Sequence, residues 1–480
     1  MSILVIDVGT SAVRAAIVHP DASVTHEVRA DTPADTPAPG LVEFDAASYG
    51  RAALACAREA LEGHGPVDAV GITNQRASTV VWDRTTGEPV APAQGWQDLR
   101  TVGDCLVLAA DGVRLAPNQS ATKLVSILDA VDPDRSRDLC FGTPDSWIVW
   151  LLTEGAHHVS DLSNAAVWGL MLGDATHYDA PLLERLRIPA SMLPRIVDSS
   201  GAIGEASALP GAPPICGIAG DQQASLVGQG CVLHGTAKIT FGTGGMLDVC
   251  LGPERPRFDV RGGAGTFPIV CWRRGDEVVW GVEAVMLSAG TNVEWLRDDL
   301  GIIATSDESE AVAASVPDAD GVVYVPALLG LGTPQWDYGA RGALLGLTRG
   351  SERGHVVRAV LEGVAERGAD LVEAAEQDAG ATLAALRIDG GMSANGVFVQ
   401  HLADATQRPV EIAPVTEATA LGAGFLAGLA VGTWSGWDDV AATWRPASVV
   451  EPGAPTDRER WRDAVSRAAR WHGDLSDLDF

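Results

Sequence analysis

The apolar positions of the chain predict a repeated strand–turn design. Ile3–Val8 is a near-continuous apolar run, and Val13–Val18 returns it across Asp7-Val8-Gly9-Thr10-Ser11, so the pattern predicts a hairpin. The layout recurs at Ile239-Thr240-Phe241-Gly242-Thr243-Gly244-Gly245-Met246-Leu247-Asp248-Val249. A third apolar strand, Leu386-Arg387-Ile388-Asp389, runs into Gly390-Gly391-Met392-Ser393-Ala394-Asn395 and then a helix. Alternation over 69–74 and 79–84, with the Thr85-Thr86-Gly87 turn, predicts a further β-hairpin. Apolar strand residues lead to Gly220-Asp221, which opens a helix of small residues.

Helical spacing marks 282–298, 355–375 and 456–471, the last Arg-rich and amphipathic. Thr143-Pro144-Asp145 heads an apolar helix that Thr143 or Asp145 would cap. Residues 322–326 read as a strand into a turn, and 200–214, rich in Gly, Ala, Ser and Pro, as a surface loop. The run 418–434 carries four glycines and falls short of the ~20 residues of a membrane span, so it reads as a buried, closely packed helix.

A chain of 480 residues favours two or three domains. The expected divisions are 1–230, 231–435 and a C-terminal helical extension, 436–480. A formal net charge of −29 argues against nucleic-acid or anionic-membrane partners, which select basic patches. Lys123 and Lys238 are the only lysines. The seven cysteines form no C-x-x-C pair and read as buried free thiols, and the start carries no basic leader, so the expected location is the cytoplasm. His157 and His158 are adjacent and lack a helical metal-ligand spacing.

Asp221 at a helix start has the chemistry of a general base. Glycine turns let backbone N–H groups approach a phosphate. Asp7-x-Gly-Thr adds a carboxylate and a hydroxyl, as a magnesium–phosphate site requires. Each such turn alone is common. Two matching hairpins suggest an internal duplication, and with the third turn the chain resembles the actin-like ATPase architecture. Asn74-Gln75-Arg76 is a polar cluster at a strand end, either solvated or binding. Trp96 is either core or an apolar wall under a polyol.

With these residues in view, the chain resembles the FGGY carbohydrate kinases, and among them the glycerol kinases most. The likeness spans about nine-tenths of the chain, from Ile3 to about Trp434. It is carried by Asp7-Val8-Gly9-Thr10-Ser11, Gly71-Ile72-Thr73-Asn74-Gln75-Arg76, Val80-Val81-Trp82-Asp83-Arg84-Thr85-Thr86-Gly87 and Trp96-Gln97-Asp98. Further on it is carried by Pro144-Asp145-Ser146-Trp147, Gly220-Asp221-Gln222-Gln223-Ala224, Phe241-Gly242-Thr243-Gly244, Glu294-Trp295-Leu296-Arg297-Asp298, Val325-Pro326-Ala327, the segment 340–350, Asp389-Gly390-Gly391 and Thr419-Ala420-Leu421-Gly422-Ala423.

The resemblance implies an α/β fold of two ribonuclease-H-like domains with a central cleft. It implies ATP and Mg²⁺, a small polyol or sugar acceptor, and a homodimer or homotetramer as the assembly to look for. By position, Asp221 matches the catalytic base, and Asp7 with Asp221 the magnesium carboxylates. Thr10, Ser11, Arg14, Gly242 and Thr243 match phosphate contacts; Gly290, Glu294, Gly391 and Asn395 match the nucleotide pocket. Arg76, Trp96, Asp221 and Gln222 match the polyol site.

Three further pocket positions depart from the glycerol kinase pattern. Ala77 stands for a glutamate, Asn118 for a tyrosine and Met246 for a phenylalanine; Ser126 stands where a tryptophan is expected. Losing a hydrogen bond to a charged group costs about 1.5–3 kcal/mol. The implied activity is ATP-dependent phosphorylation of glycerol. A kinase for a larger acceptor, a tetritol or a ketopentose, is the alternative, and an actin-like ATPase without kinase activity is a third reading.

Overall fold

The computed structural model describes residues 1–414 and 417–479. Its frame is two sheets of the same winding. In the first, β1 (Ile3–Val8), β2 (Ala12–Val18) and β3 (Val24–Asp31) form an antiparallel meander. On its other side β1 pairs in parallel with β4 (Ala69–Asn74), and β4 with a further strand that ends at Gly220. That strand is β6 (Pro214–Gly220), and β5 (Ser200–Glu205) pairs antiparallel along its free edge.

The second sheet repeats this. β7 (Ala237–Phe241) and β8 (Gly245–Gly252) form the second hairpin, and β10 (Glu277–Met286) continues the antiparallel side with β9 (Phe267–Arg274) outside it. β11 (Leu386–Asp389) and β12 (Val410–Ile412) extend the sheet in parallel from β7, and β13 (Ser448–Val450) closes the edge. Leaving out the added edge strands, the spatial orders β3-β2-β1-β4-β6 and β10-β8-β7-β11-β12 coincide. The duplication expected from the two glycine hairpins is therefore present as topology, in two ribonuclease-H-like halves.

Apolar side chains from both sheets meet around two helices, Asp221–Gly228 and Ala418–Val431, that lie between the sheets. Ile3, Val5 and Ala219 approach from the first sheet, and Cys250 and Cys271 from the second. Glycine permits the contact between the helices. A Cβ on Gly422 would stand 1.7 Å from the Ala224 carbonyl oxygen, and one on Gly228 1.9 Å from that of Ala418. The run 418–434 is thus the close-packed helix its glycines predicted. Among the described residues no helix is long and apolar enough to cross a membrane. The helix Arg458–Ala468 seats Trp461 and Val465 against Val325 and Leu331 on the outside of the second half.

Three expectations need correction, and a fourth is met only in part. The helical reading of 282–298 fails over its first part: Glu277–Met286 is a strand, and helix begins at Thr291. A strand covered on both faces shows a continuous apolar run, which periodicity does not separate from a buried helix. The expected loop at 200–214 contains β5, whose small residues pair through backbone along the sheet edge. Strands 69–74 and 80–83 do not pair with each other; Val80–Asp83 pairs with Leu139–Gly142, although the Thr85-Thr86-Gly87 turn does reverse the chain. Thr143 does occupy the N-cap position of the helix Pro144–Leu152 but makes no side-chain capping bond; it donates its hydroxyl proton to the Asp145 carboxylate, which also accepts from Ser160.

Gly422→Leu should destabilise the protein by about 3 kcal/mol or more in denaturant unfolding, because the clash is with backbone and cannot relax by a rotamer change. Gly103→Ala, in a helix where an added Cβ meets nothing within 4 Å, should leave stability unchanged or slightly raised.

Candidate active site

Each of the three glycine turns stands at the end of a sheet strand: β1, β7 and β11. In the first hairpin, Gly9 N–H donates to the Ala12 carbonyl at 3.0 Å, which tightens the turn after Asp7. Thr10 accepts a hydrogen bond on its hydroxyl from Trp96 Nε1 at 3.2 Å, and Ser11 is exposed beside it. Half-buried Trp96 is thereby tied to the turn rather than sunk in a core. Arg14 pairs with Glu417 at 2.8 Å.

In the second hairpin, the Gly242-Thr243-Gly244 turn is held from outside. Gly290 N–H donates to the Gly242 carbonyl and Ala289 N–H to that of Thr243, both at 2.8 Å. Gly290 must lack a side chain, since a Cβ would lie 2.7 Å from the Gly242 oxygen. Glu294 follows, exposed, one turn on. In the third turn, Gly390 has φ 89°, and a Cβ on it would collide with Phe241 at 2.4 Å. Exposed Gly391 therefore lies beside the second hairpin. Asn395 caps the helix Gly396–Thr406 and also donates to Ser309, so its amide is engaged in the fold.

Three acceptor-site candidates, Arg76, Asp221 and Gln222, meet where the first sheet faces the second. Gly220 ends β6, and Asp221 is the first residue of its helix. Asp221 Oδ1 accepts from the Gln222 N–H at 2.8 Å. Arg76, in the turn just past the end of β4, packs its chain on Gly220, where a Cβ would come within 2.6 Å of its Cγ. Its Nε lies 3.5 Å from Asp221 Oδ1, and its Nη2 donates to Glu283 Oε2 at 2.7 Å. The Arg76 side chain is 13% exposed, and its Nη1 is buried without a hydrogen-bond partner among the described residues. Gln222 Oε1 accepts from Lys238 Nζ at 2.6 Å.

Ala77 is buried at φ 58°, and its carbonyl accepts from Ser120 Oγ at 3.0 Å. The turn carrying exposed Asn118 is thus adjacent to Ala77. Ser126 lies deeper, where its hydroxyl accepts from Gln94 at 3.4 Å. Half-buried Met246 stands just after the second turn, two residues before Asp248.

Burial raises the Asp221 carboxyl, against the pull of Arg76. Asp7 is pushed up to about 7, chiefly by burial, with Arg14 opposing and the carboxylates of Asp221 and Glu417 adding to the rise. Burial also raises Glu283, opposed by Arg76 and reinforced by Asp248, its cross-strand neighbour.

Glu283, Lys238 and Asp248 were not among the residues expected at the site. The available signal was a lone charge inside an apolar strand, as in Val282-Glu283-Ala284 and Leu247-Asp248-Val249. A buried charge needs a partner, so each such residue points to another.

The chain matches the model of the FGGY family of carbohydrate kinases, N-terminal domain, over residues 2–228, and that of its C-terminal domain over 237–431. It is 43% identical to the glycerol kinase of Aromatoleum aromaticum, over 98% of this chain and 99% of that one. The glycerol kinase of Trichlorobacter lovleyi is equally similar, 43% over 98% and 99%. Among solved structures, the glycerol kinase of Plasmodium falciparum with ADP matches at a TM-score of 0.91 and 27% identity, covering 97% of this chain and 98% of that one. The xylulose kinase of Rhodospirillum rubrum, with a TM-score of 0.85 at 24% identity over 99% and 100%, shares the fold.

A carboxyl raised in the folded state holds its proton while the unfolded chain has lost it. Stability should therefore fall as pH rises from about 4 to about 7. Asp7→Asn removes this liability. The ligand-free variant should melt above wild type at pH 8, with the gap closing toward pH 4 in calorimetric scans. A variant that melts lower at pH 8 would mean that Arg14 stabilises the Asp7 charge outright.

Proposed function

The chain belongs to the FGGY family of carbohydrate kinases, and from that premise we propose that it phosphorylates glycerol, converting glycerol and ATP to glycerol 3-phosphate and ADP. The observation that carries this reading is the Arg76–Asp221 pair beside Gln222, set between glycine turns in a chain 43% identical to glycerol kinases over nearly its full length.

Asp221 takes the proton of the attacking primary hydroxyl. The oxygen forms its bond to the γ-phosphorus, and the bond to the bridging oxygen breaks with its electron pair leaving on ADP. Phosphoryl transfer asks the protein mainly for positioning and charge neutralisation. The N–H groups of the Gly242–Gly244 turn supply fixed donors, and Arg14, now shared with Glu417, supplies a cation. Gly290, Glu294, Gly391 and Asn395 surround the nucleoside in this reading. Arg76 Nη1, without a hydrogen-bond partner among the described residues, is matched to an acceptor hydroxyl.

A divalent cation fits the first hairpin, because the buried Asp7 and half-buried Asp221 carboxyls lie close enough for Asp221 to raise Asp7, a like-charge repulsion that a cation would offset. Mg²⁺ takes one or two protein carboxylates and completes its shell with phosphate and water, and bound there it would offset phosphate charge.

A larger acceptor is the second reading, because Ala77 offers no carboxylate and Asn118 is exposed. ADP release measured over glycerol, erythritol and ketopentoses separates the two.

Asp221→Asn keeps the shape and removes the base, so kcat should fall by about 10²–10⁴ while ATP still binds. A variant retaining more than about a tenth of wild-type kcat in a coupled ADP assay would remove Asp221 from the role.

A further inference from the structure

Lys238 and Asp248 are both fully buried, and they form an ion pair at 2.8 Å on the face of the second sheet that looks toward Asp221. The same ammonium donates to Gln222 Oε1 at 2.6 Å and to Thr240 Oγ1 at 3.1 Å. An ammonium has three N–H donors and accepts nothing. Two of these donors serve Gln222 and Thr240, and Asp248 contributes its charge as an ion pair rather than an aligned hydrogen bond. Because an ammonium accepts nothing, Gln222 can face it only with its carbonyl oxygen. The two ends of a glutamine amide are ordinarily interchangeable; here the partner decides between them. Gln222 Nε2 is left on the far side of the amide with no hydrogen bond to any described residue.

Gln222 is half-buried and adjoins Asp221 at the start of the helix. Asp248 completes the device, since a fully buried ammonium without a carboxylate is costly. A line of three side chains thus reaches from the second sheet to the first and ends in a fixed pair of donors.

We propose that Lys238, anchored by Asp248, is a positioning residue that locks Gln222 with its amide NH₂ toward the phosphoryl acceptor, so that the site reads one acceptor oxygen as a hydrogen-bond acceptor. This deepens the kinase reading above and rests on it. A neutral side chain at 238 would let the amide rotate and present either end, and a carboxylate at 222 would reverse what is read.

The test compares wild type, Lys238→Met and Gln222→Glu by kcat/KM on a series of acceptors. At each non-reacting carbon the series carries hydroxyl, an acceptor-only group (carbonyl or fluorine) or hydrogen. At one carbon, wild type should lose about fivefold to tenfold on going from the acceptor-only group to hydrogen, the worth of one hydrogen bond. Lys238→Met should erase that step. Gln222→Glu should favour hydroxyl over the acceptor-only group by a similar factor, because a carboxylate only accepts. A purely structural role would instead lower every compound by one factor and leave the ratios intact, and that result overturns the proposal. So would a Gln222→Glu ranking identical to wild type, which decides the matter alone if Lys238→Met does not fold. Should wild type turn over none of the glycerol series, the glycerol reading fails by itself, and the same ratios on the acceptor found by the ADP-release screen decide this proposal.

Discussion

A guanidinium removed from water between two sheets has to find its counter-charges in both. Arg76, carried by the first sheet, is held by Asp221 from its own half and by Glu283 from the other. Removing one partner of a buried ion pair typically costs 3–5 kcal/mol, because the other charge is left uncompensated. This contact therefore constrains how the halves sit together. It works only if the sheets approach closely, and the glycine contacts between the helices Asp221–Gly228 and Ala418–Val431 permit that approach.

The same strand that delivers Glu283 leads on to Gly290 and Glu294, nucleotide-pocket candidates. β10 ends at Met286, and four residues later Gly290 N–H donates to the Gly242 carbonyl of the second glycine turn. A single stretch of backbone thus joins the Arg76 contact to the phosphate-turn candidate. Lys238 plays a parallel part at the head of the neighbouring hairpin, tying Gln222 to the second sheet. Of the acceptor candidates, Arg76 and Gln222 are carried by the first half, yet each is bonded to a side chain of the second.

Much of this was legible in the sequence because turns declare themselves locally. Asp7-Val8-Gly9-Thr10, Gly242-Thr243-Gly244 and Asp389-Gly390-Gly391 each follow an apolar strand, and Asp221 follows Gly220; all were found where the pattern put them. What escaped was information held in register. Glu283 sits in a strand buried on both faces, whose unbroken apolar run looked like a helix. That Asp248 faces Glu283 across neighbouring strands is a pairing no local pattern states. Edge strand β5 was missed because backbone pairing asks little of side chains.

On this account the acceptor hydroxyl lies between the Asp221 carboxylate and Arg76 Nη1, which has no hydrogen-bond partner among the described residues. A crystal structure with glycerol and a non-hydrolysable ATP analogue tests it directly. The expected result is one acceptor oxygen within hydrogen-bond distance of both groups, with a terminal hydroxyl facing the γ-phosphate over the glycine turns. An acceptor seated elsewhere, with Arg76 Nη1 still unpartnered, would contradict it.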